Sequence, residues 1–301
     1  MPFAELSGLV AALCWTLSSL MAPRLIESMG TFRFNTYRIT IAALLLCMLG
    51  LWRFVSWETL ASYLPLLVLS GVIGIFIGDN CLFSAVNRIG PRRAGILFAM
   101  NAPFSILLAW LFLDETLSLI ELICCGIVLI GVVIAILFGK RGQTHAWEST
   151  KGSLPIAIVI ALIAALCQAT GALLAKPALL AGIDPVVASA ARVSASAACL
   201  LLAYRLYFHK RVPQSMSTLH SFPLILWLRL VAVATIGMVI GMSVLVWGVA
   251  NADVGLVTTL SATVPVLILP GLWLTTKQRP APGAWVGASL VVFGAMGIIL
   301  H

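Results

Sequence analysis

The chain has 301 residues, of which 61% are hydrophobic and 9% are charged, and its mean hydropathy is +1.11. Soluble domains carry about 25% charged residues, and a water-soluble globule of this length needs a polar surface that this chain cannot supply. The composition therefore excludes a water-soluble enzyme, a nucleic-acid binder and a disordered protein. The net charge of +8 does not change this, because the cations stand in small groups between apolar runs, as in membrane-protein loops.

Ten apolar runs are long enough to cross a bilayer as helices, since the hydrocarbon core takes about 20 helical residues. Turn residues and charges mark the loops between them, for example residues 88–93 and 277–280. No Lys or Arg precedes the first run, so it lacks the cationic segment of a signal peptide and is predicted to be retained. In chain order the predicted spans are 6–26, 35–53, 61–86, 94–113, 118–138, 153–175, 185–207, 222–249, 254–275 and 283–300.

The longest polar loop divides the chain into five spans and five spans. We predict a first five-helix repeat in residues 1–140, a linker in 141–152 and a second repeat in 153–301. An odd number of crossings inserts the second copy upside down, and inverted repeats are typical of transporters. The predicted fold is therefore an all-α polytopic membrane protein, with ten transmembrane helices arranged as two inverted five-helix repeats around a central cavity. Features that recur in the same order are Ala12-Leu13-Cys14 and Ala165-Leu166-Cys167, Arg38 and Arg192, Gly74-x-x-x-Gly78 and Gly237-x-x-x-Gly241, Pro103 and Pro265, and Gly131 and Gly294.

Several motifs in the first half are those of a known family. They are Ala12-Leu13-Cys14-Trp15, Tyr37-Arg38-Ile39, Asn101-Ala102-Pro103, Leu108-Ala109-Trp110 and Asp114-Glu115-Thr116-Leu117-Ser118. With these motifs and its ten spans, the chain resembles the EamA-type branch of the drug/metabolite transporter superfamily over essentially its whole length. Aromatic amino acid exporters of the YddG type are among the similar members. The second half departs from the family pattern at Lys277, where a Glu usually stands opposite Glu115, and it has Gln168 in the place of Trp15.

Apart from Glu121, which stands near the start of span 118–138, Asp79 is the only acidic residue inside a predicted span, and it lies on the membrane side where span 2 begins with Arg38. Ionisable side chains within a membrane are costly and usually mark function or pairing. We predict that Asp79 and Arg38 pair and gate one mouth of the cavity. The alternative is that Asp79 is hydrated at a helix end while Arg38 extends to the interface. Arg192, the counterpart of Arg38, has Met242 where Asp79 would be, so an ion pair there needs another partner.

Aromatic, amide and hydroxyl side chains are predicted to line the cavity. Prolines inside spans 4 and 9 free backbone carbonyls, which is tolerated where a helix faces protein or water. We therefore predict helix breaks or hinges at Pro103 and Pro265, and at Gly78 and Gly241. Each hydroxyl has the alternative of bonding back to its own helix, and Trp15 that of packing between helices. The predicted substrate-binding residues are Trp15, Ser19, Phe83, Phe98, Asn101, Gln168, Trp247, Thr259 and Thr263.

Such a lining suits a particular class of solute. Span 1 has no carboxylate to drive proton–cation antiport, whereas amides, hydroxyls and helix dipoles can hold neutral or zwitterionic molecules. We predict an exporter or facilitator of small neutral or zwitterionic metabolites, such as amino acids including aromatic ones, that works by alternating access. A proton-coupled exporter of drugs or lipophilic cations and a passive channel are the alternatives. The partners are the solute and the lipid bilayer, without nucleic acid, and the oligomeric state stays open between monomer and homodimer.

The sequence predicts neither catalysis nor a cofactor. The four histidines lie in loops or at the C-terminus, and the seven cysteines lie in apolar runs without metal-ligand or redox spacing. Thirteen of the 18 Lys and Arg residues fall in odd-numbered loops, and the even-numbered loops hold two, Arg53 and Lys176. The positive-inside rule then places both termini outside a multi-pass protein of the plasma membrane, here a bacterial inner membrane. The family resemblance implies cytoplasmic termini instead.

Overall fold

The computed structural model describes residues 2–53, 56–138, 153–208, 223–264, 266–267 and 282–300. This described part of the chain is helical and contains no strand. The predicted linker, residues 141–152, lies outside it. All seven cysteines lie inside it, and all are free.

Helices follow one another through the first half with short connections. Two of them, α4 and α5, join through a π-helical segment into one long rod. The elements are α1 (Pro2–Met21), α2 (Pro23–Met29), α3 (Thr31–Gly50), α4 (Trp57–Ser70), π1 (Gly71–Ile77), α5 (Gly78–Phe98), α6 (Asn101–Leu113) and α7 (Leu119–Phe138).

The described part of the second half has a similar order of elements, with the single helix α8 in the place of α1 and α2 and an additional π-helical segment after α9. Its third long rod again contains a π-helical segment between two α-helices. The elements are α8 (Leu154–Leu180), α9 (Pro185–Ala203), π2 (Tyr204–Phe208), α10 (Leu224–Ala234), π3 (Thr235–Ile240), α11 (Gly241–Asn251), α12 (Val254–Ser261) and α13 (Pro282–Leu300).

Helix length and apolar composition identify a polytopic membrane protein. Among the described residues, six helical stretches are long and apolar enough to cross a bilayer, and three shorter helices are also apolar. Large apolar side chains such as Leu44 and Met48 on α3, or Leu111 and Phe112 on α6, are exposed, as expected where helices meet lipid. The six stretches are Ala4–Met21, Phe32–Gly50, Trp57–Val86, Leu154–Leu180, Pro185–Leu206 and Leu224–Asn251, and the three shorter helices are Asn101–Leu113, Leu119–Ile134 and Trp285–Gly297.

Most of the contacts between long helices join one half of the chain to the other. Helix α1 packs against π3, α11 and α12, while α8 packs against α4, π1, α5 and α6. Three further pairs cross between the halves: α3 with α9, α6 with α12, and α7 with α13. The α8 side of this packing is rich in small buried residues, Ala157, Ala161, Ala164, Ala165 and Ala169 among them. Small residues let helix backbones approach closely, which is how helices associate in lipid.

Two predicted loop regions are helical. Residues 88–93 were expected to be a loop, but α5 continues through them to Phe98 because Ile89 and Ala94 are buried against Ala157 and Ala161 of α8. A proline removes one hydrogen bond without necessarily ending a helix, so Pro91 was a misleading signal.

Lys176 was likewise assigned to a loop, and this was wrong. Helix α8 continues to Leu180, with Pro177 inside it, because Ala178 and Leu179 are buried in the core. Lys176 itself is buried in α8.

Candidate functional site

Arg38 of α3 and Asp79 of α5 form an ion pair, with 2.9 Å between Nη2 and Oδ2. The same nitrogen donates to Asn35 Oδ1 at 2.9 Å. The guanidinium also lies over two aromatic rings, 5.7 Å from the centroid of Phe34 and 5.9 Å from that of Phe83. The two charged side chains are only 14% and 22% exposed. The structure thus brings together Arg38, Asp79 and Phe83 in one partly buried cluster, and the gating role of the pair stays a prediction.

Arg192 of α9 is buried without an acidic partner. Its side chain is 2% exposed, and its Nη1 lies 3.8 Å from Sδ of Met242. Its Nε has no hydrogen-bond partner. No carboxylate in the described part of the chain forms an ion pair with it. A guanidinium that is buried without a counter-charge is energetically costly, and it marks this position as one to explain.

The predicted hinge glycines begin helices directly after the π segments. Gly78 is the first residue of α5, after π1, and Gly241 is the first residue of α11, after π3. A Cβ on Gly78 would lie 3.4 Å from Cβ of Cys167, and one on Gly241 would lie 3.1 Å from Cβ of Cys14. Both long rods therefore have an irregular turn where they touch the opposite half. Such π turns inside α-helices frequently occur at functional sites.

The other glycine of each pair makes an even closer approach. A Cβ on Gly74 would lie 2.9 Å from Cα of Gly171 in α8, and one on Gly237 would lie 2.6 Å from Oγ of Ser18 in α1. Ser70 also donates from its hydroxyl to the carbonyl of Gly171 at 2.5 Å. Only glycine fits at these positions without displacing a neighbouring helix.

The predicted residues of spans 1, 6 and 8 occupy different environments. Trp15 is half-buried and donates from Nε1 to the carbonyl of Gly237 in π3 at 2.9 Å. Gln168 is also half-buried. Ser19 is exposed, and Trp247 is 42% exposed. Trp15 therefore contacts the irregular turn of the opposite half, whereas Ser19 and Trp247 lie at the surface of the described structure.

Asn101 is buried at the start of α6, where its amide donates to the carbonyl of Phe98 at 2.9 Å. That carbonyl is available because the chain turns at residues 99–100 between α5 and α6. Pro103 was expected to break a helix at mid-span, but it lies in the first turn of α6. Amide groups of a first turn have no partner within the helix, so a proline there costs no hydrogen bond. The helix break thus precedes Pro103.

Thr259 and Thr263 are buried, and each hydroxyl donates to its own chain. The acceptor is the carbonyl of Gly255 at 2.8 Å for Thr259, and that of Leu260 at 2.7 Å for Thr263. The alternative of a back-bonded hydroxyl therefore holds for both residues in this conformation. Pro265 lies outside the described residues.

A second buried ion pair was not predicted. Lys176 Nζ lies 2.6 Å from Glu115 Oε1 and donates to the carbonyl of Ala252 at 2.8 Å. The other oxygen, Oε2, accepts from the backbone N–H of Val254 at 2.8 Å, so Glu115 caps the start of α12. Burial raises the pKa of the neighbouring Asp253 carboxyl, Glu115 raises it further, and Lys176 opposes the shift. This network joins the α6–α7 connection to α8, to α12 and to the turn between α11 and α12.

No group of three or more metal-ligating side chains occurs among the described residues. The fold and its buried ion pairs define a polytopic membrane protein that holds charges between its spans. The sequence model of the EamA-like transporter family matches residues 2–137 and 155–300. The chain therefore belongs to this family of membrane transporters.

Two further comparisons agree with this assignment. The chain is 26% identical over 140 residues to an uncharacterized transporter of Archaeoglobus fulgidus, and the match covers 46% of this chain. It spans half, 50%, of that relative's length. A crystal structure of a protein with 22% sequence identity superimposes with a TM-score of 0.76, covering 99% of this chain and 96% of that chain. At this identity the likeness concerns the fold alone.

Proposed function

We propose that the chain is a pair of inverted five-helix repeats that moves small neutral or zwitterionic metabolites across the membrane by alternating access. The observation that carries this proposal is the pattern of contacts between the halves. Exchanging each helix for its counterpart reproduces the main contacts: α1 packs against π3, α11 and α12, as α8 packs against π1, α5 and α6. The pairs α3 with α9, α6 with α12 and α7 with α13 exchange into themselves.

Side-chain contacts repeat this relation. Gly78 meets Cys167 as Gly241 meets Cys14. The family model also matches twice, once in each half. Five crossings in each half orient the copies oppositely, and such repeats surround a site near the middle of the membrane. We take residues 1–140 and 153–301 as the two repeats.

The chemistry of the interior supports a solute without net positive charge. Asp79 lies inside the long apolar stretch Trp57–Val86, and Arg38 already neutralises it at 2.9 Å. A lipophilic cation would have to displace that guanidinium. Half-buried aromatic and amide groups, those of Trp15, Phe83 and Gln168, suit apolar side chains and uncharged polar ends. Amino acids, including aromatic ones, combine both features.

The test is transport by the purified protein in vesicles. Vesicles loaded with an unlabelled solute are diluted into a trace of the labelled solute, with amino acids, sugars, nucleosides and lipophilic cations tested in turn. Saturable accumulation by counterflow of an amino acid is expected, because a carrier exchanges solute without net flux. Protein-free vesicles and the Arg53→Gln variant, in which an exposed cation is removed, serve as controls.

Three results would contradict the proposal. Ohmic conductance in planar bilayers would favour a passive channel. Counterflow restricted to lipophilic cations, or transport abolished by a protonophore while the solute gradient is maintained, would favour proton-coupled drug export. No transport across the whole panel would remove the carrier interpretation.

We also propose residence in a plasma membrane, a bacterial inner membrane, and the cation distribution supports an orientation with odd-numbered loops in the cytoplasm. Labelling of single introduced cysteines at residues 53 and 205 from each side of intact cells tests this. Label that reaches residue 205 and not residue 53 from outside would reverse the orientation.

A further inference from the structure

We propose that Arg192 binds the carboxylate of the transported solute, in the position that Asp79 occupies beside Arg38 in the first half. This inference rests on the proposed function and assigns a substrate class to it: small solutes with a free carboxylate, such as amino acids.

The two arginines are equivalent in position. Arg38 lies seven residues after Thr31, the first residue of α3, and Arg192 lies seven residues after Pro185, the first residue of α9. Their neighbours on the third rod are also equivalent, because Asp79 follows the first residue of α5, and Met242 follows that of α11. Equivalent backbone thus places an acid beside one arginine and a thioether beside the other.

The surroundings of Arg192 contain several polar groups without a hydrogen-bond partner. Its Nε is unpartnered, and its Nη1 has only the weak acceptor Sδ of Met242 at 3.8 Å. Ser189 and Ser196 stand three and four residues away on the same face of α9, and both hydroxyls are buried without a partner. The hydroxyl of Ser243, next to Met242, is buried and unpartnered as well. A carboxylate can accept from several such donors at once.

Room for a small anionic group at this point comes from Met242. On the Gly74 side the guanidinium is closely packed, because the position of a Cβ on Gly74 lies 2.9 Å from Cα of Gly171 and 3.7 Å from Nη2 of Arg192. Met242, by contrast, has an unbranched, flexible side chain that can be displaced more readily than a branched one. A carboxylate that displaces the Met242 thioether takes the position that the Asp79 carboxylate has beside Arg38.

The charge of Arg192 is the reason that its ligand must be an anion. Ionisable residues within a membrane protein are paired or line a solute pathway, and a single buried charge without its partner is strongly unfavourable. The solute carboxylate supplies the missing charge during passage and leaves with the solute. Arg192 is thereby a binding residue that discriminates acids from their uncharged analogues.

Binding of labelled L-tryptophan, L-leucine and their carboxamides to the purified protein tests the proposal. The wild-type chain is expected to bind the acids in preference to the amides. Arg192→Gln is expected to lower the affinity for the acids about 30-fold or more, about 2 kcal/mol at 1.4 kcal/mol per tenfold, and to leave the affinity for the amides unchanged. Arg192→Lys should retain part of the preference. Arg53→Gln, which removes an exposed cation, should behave as wild type.

A second variant keeps the proposal falsifiable if Arg192→Gln does not fold. Met242→Asp restores the arrangement of the first half, so the internal carboxylate occupies the ligand's place. Without ligand its thermal unfolding temperature should rise by about 4 °C or more, and binding of the acids should be lost. Met242→Asn, the uncharged isostere, should give neither the stabilisation nor the full loss.

The outcomes separate this inference from the proposed function. If the wild type moves no solute in vesicles, the proposed function fails. If the wild type transports but treats acids and amides alike, or if Arg192→Gln keeps the preference for acids, the carboxylate assignment fails and the transporter remains. Arg192-dependent binding of a phosphate monoester with no binding of carboxylates also overturns it. A Met242→Asp variant that is destabilised and still binds the acids would do the same.

Discussion

Replacing Asp79 by Asn is expected to destabilise the folded protein by about 3 kcal/mol. Removing one partner of a buried ion pair costs about 3–5 kcal/mol because the other charge stays buried. Here the side chains are 14% and 22% exposed, and Arg38 keeps its bond to Asn35 and its contacts with Phe34 and Phe83. These remaining contacts place the cost at the lower end, which shifts the folding equilibrium about 140-fold.

The assay is reversible unfolding in mixed micelles by titration with denaturing detergent, followed by circular dichroism. Arg38→Met and the double variant complete a thermodynamic cycle, and the double variant should recover part of the loss because no unpaired charge remains. The control is Arg53→Gln, since Arg53 is 56% exposed and 3.7 Å from Asp184, and an exposed pair contributes about 0–1 kcal/mol. If Asp79→Asn stays within about 0.5 kcal/mol of wild type, or if the two single losses simply add, the pair does not hold these helices together.

Three further predictions concern the contacts between the halves. Glu115→Gln should lower the free energy of unfolding by about 2–4 kcal/mol, measured by the same titration, because it leaves the buried charge of Lys176 without its partner and gives the N–H of Val254 a weaker acceptor. Gly74→Ala should cost about 1–3 kcal/mol through overpacking, whereas Gly126→Ala, with nothing within 4 Å of its Cβ, should be neutral or stabilise by up to about 1 kcal/mol; equal effects would refute the close approach. Burial holds the pKa of Asp253 above its ordinary 3.8, so its ionisation opposes folding, and the stability gained from the bound proton is lost as the pH rises from 3.8 through the raised value. Asp253→Asn should therefore raise the thermal unfolding temperature relative to wild type more at pH 7 than at pH 3.5, and a larger gain at the lower pH would contradict the sign.

Periodicity and composition were sufficient for the helical membrane class, because apolar runs of bilayer length have few alternative structures. They were less reliable for helix ends. Pro91 and Pro177 lie inside helices because residues beside them, Ile89 and Ala94 in α5 and Ala178 and Leu179 in α8, are buried in hydrophobic clusters. Local turn signals do not contain that information.

Of the polar contacts, some were predicted from the sequence and others were not. Arg38 and Asp79 were predicted to pair because rare charges in apolar runs must find partners, and the structure places them 2.9 Å apart. The pair of Glu115 and Lys176 was missed because the lysine was counted as a loop cation, although it stands in an uninterrupted apolar run. The segments π1 and π3 have no distinct sequence signal beyond two glycines four residues apart. Hydroxyls such as that of Thr259 satisfy their own helix, which spacing alone cannot distinguish from a lining role.

The ion pair of Glu115 and Lys176 lies at the end of the molecule where α8 stops, and it makes that end chemically different from the opposite one. In the proposed repeat alignment the equivalent positions are Lys277 and Pro23, which cannot form such a bond. Among the described residues, the end of the molecule where α8 stops has this ion pair between the halves. In the proposed alternating-access cycle, the two states that open opposite ends are consequently unequal in energy, even though the scaffold that produces them is duplicated, and the resting protein favours the state in which this end is closed.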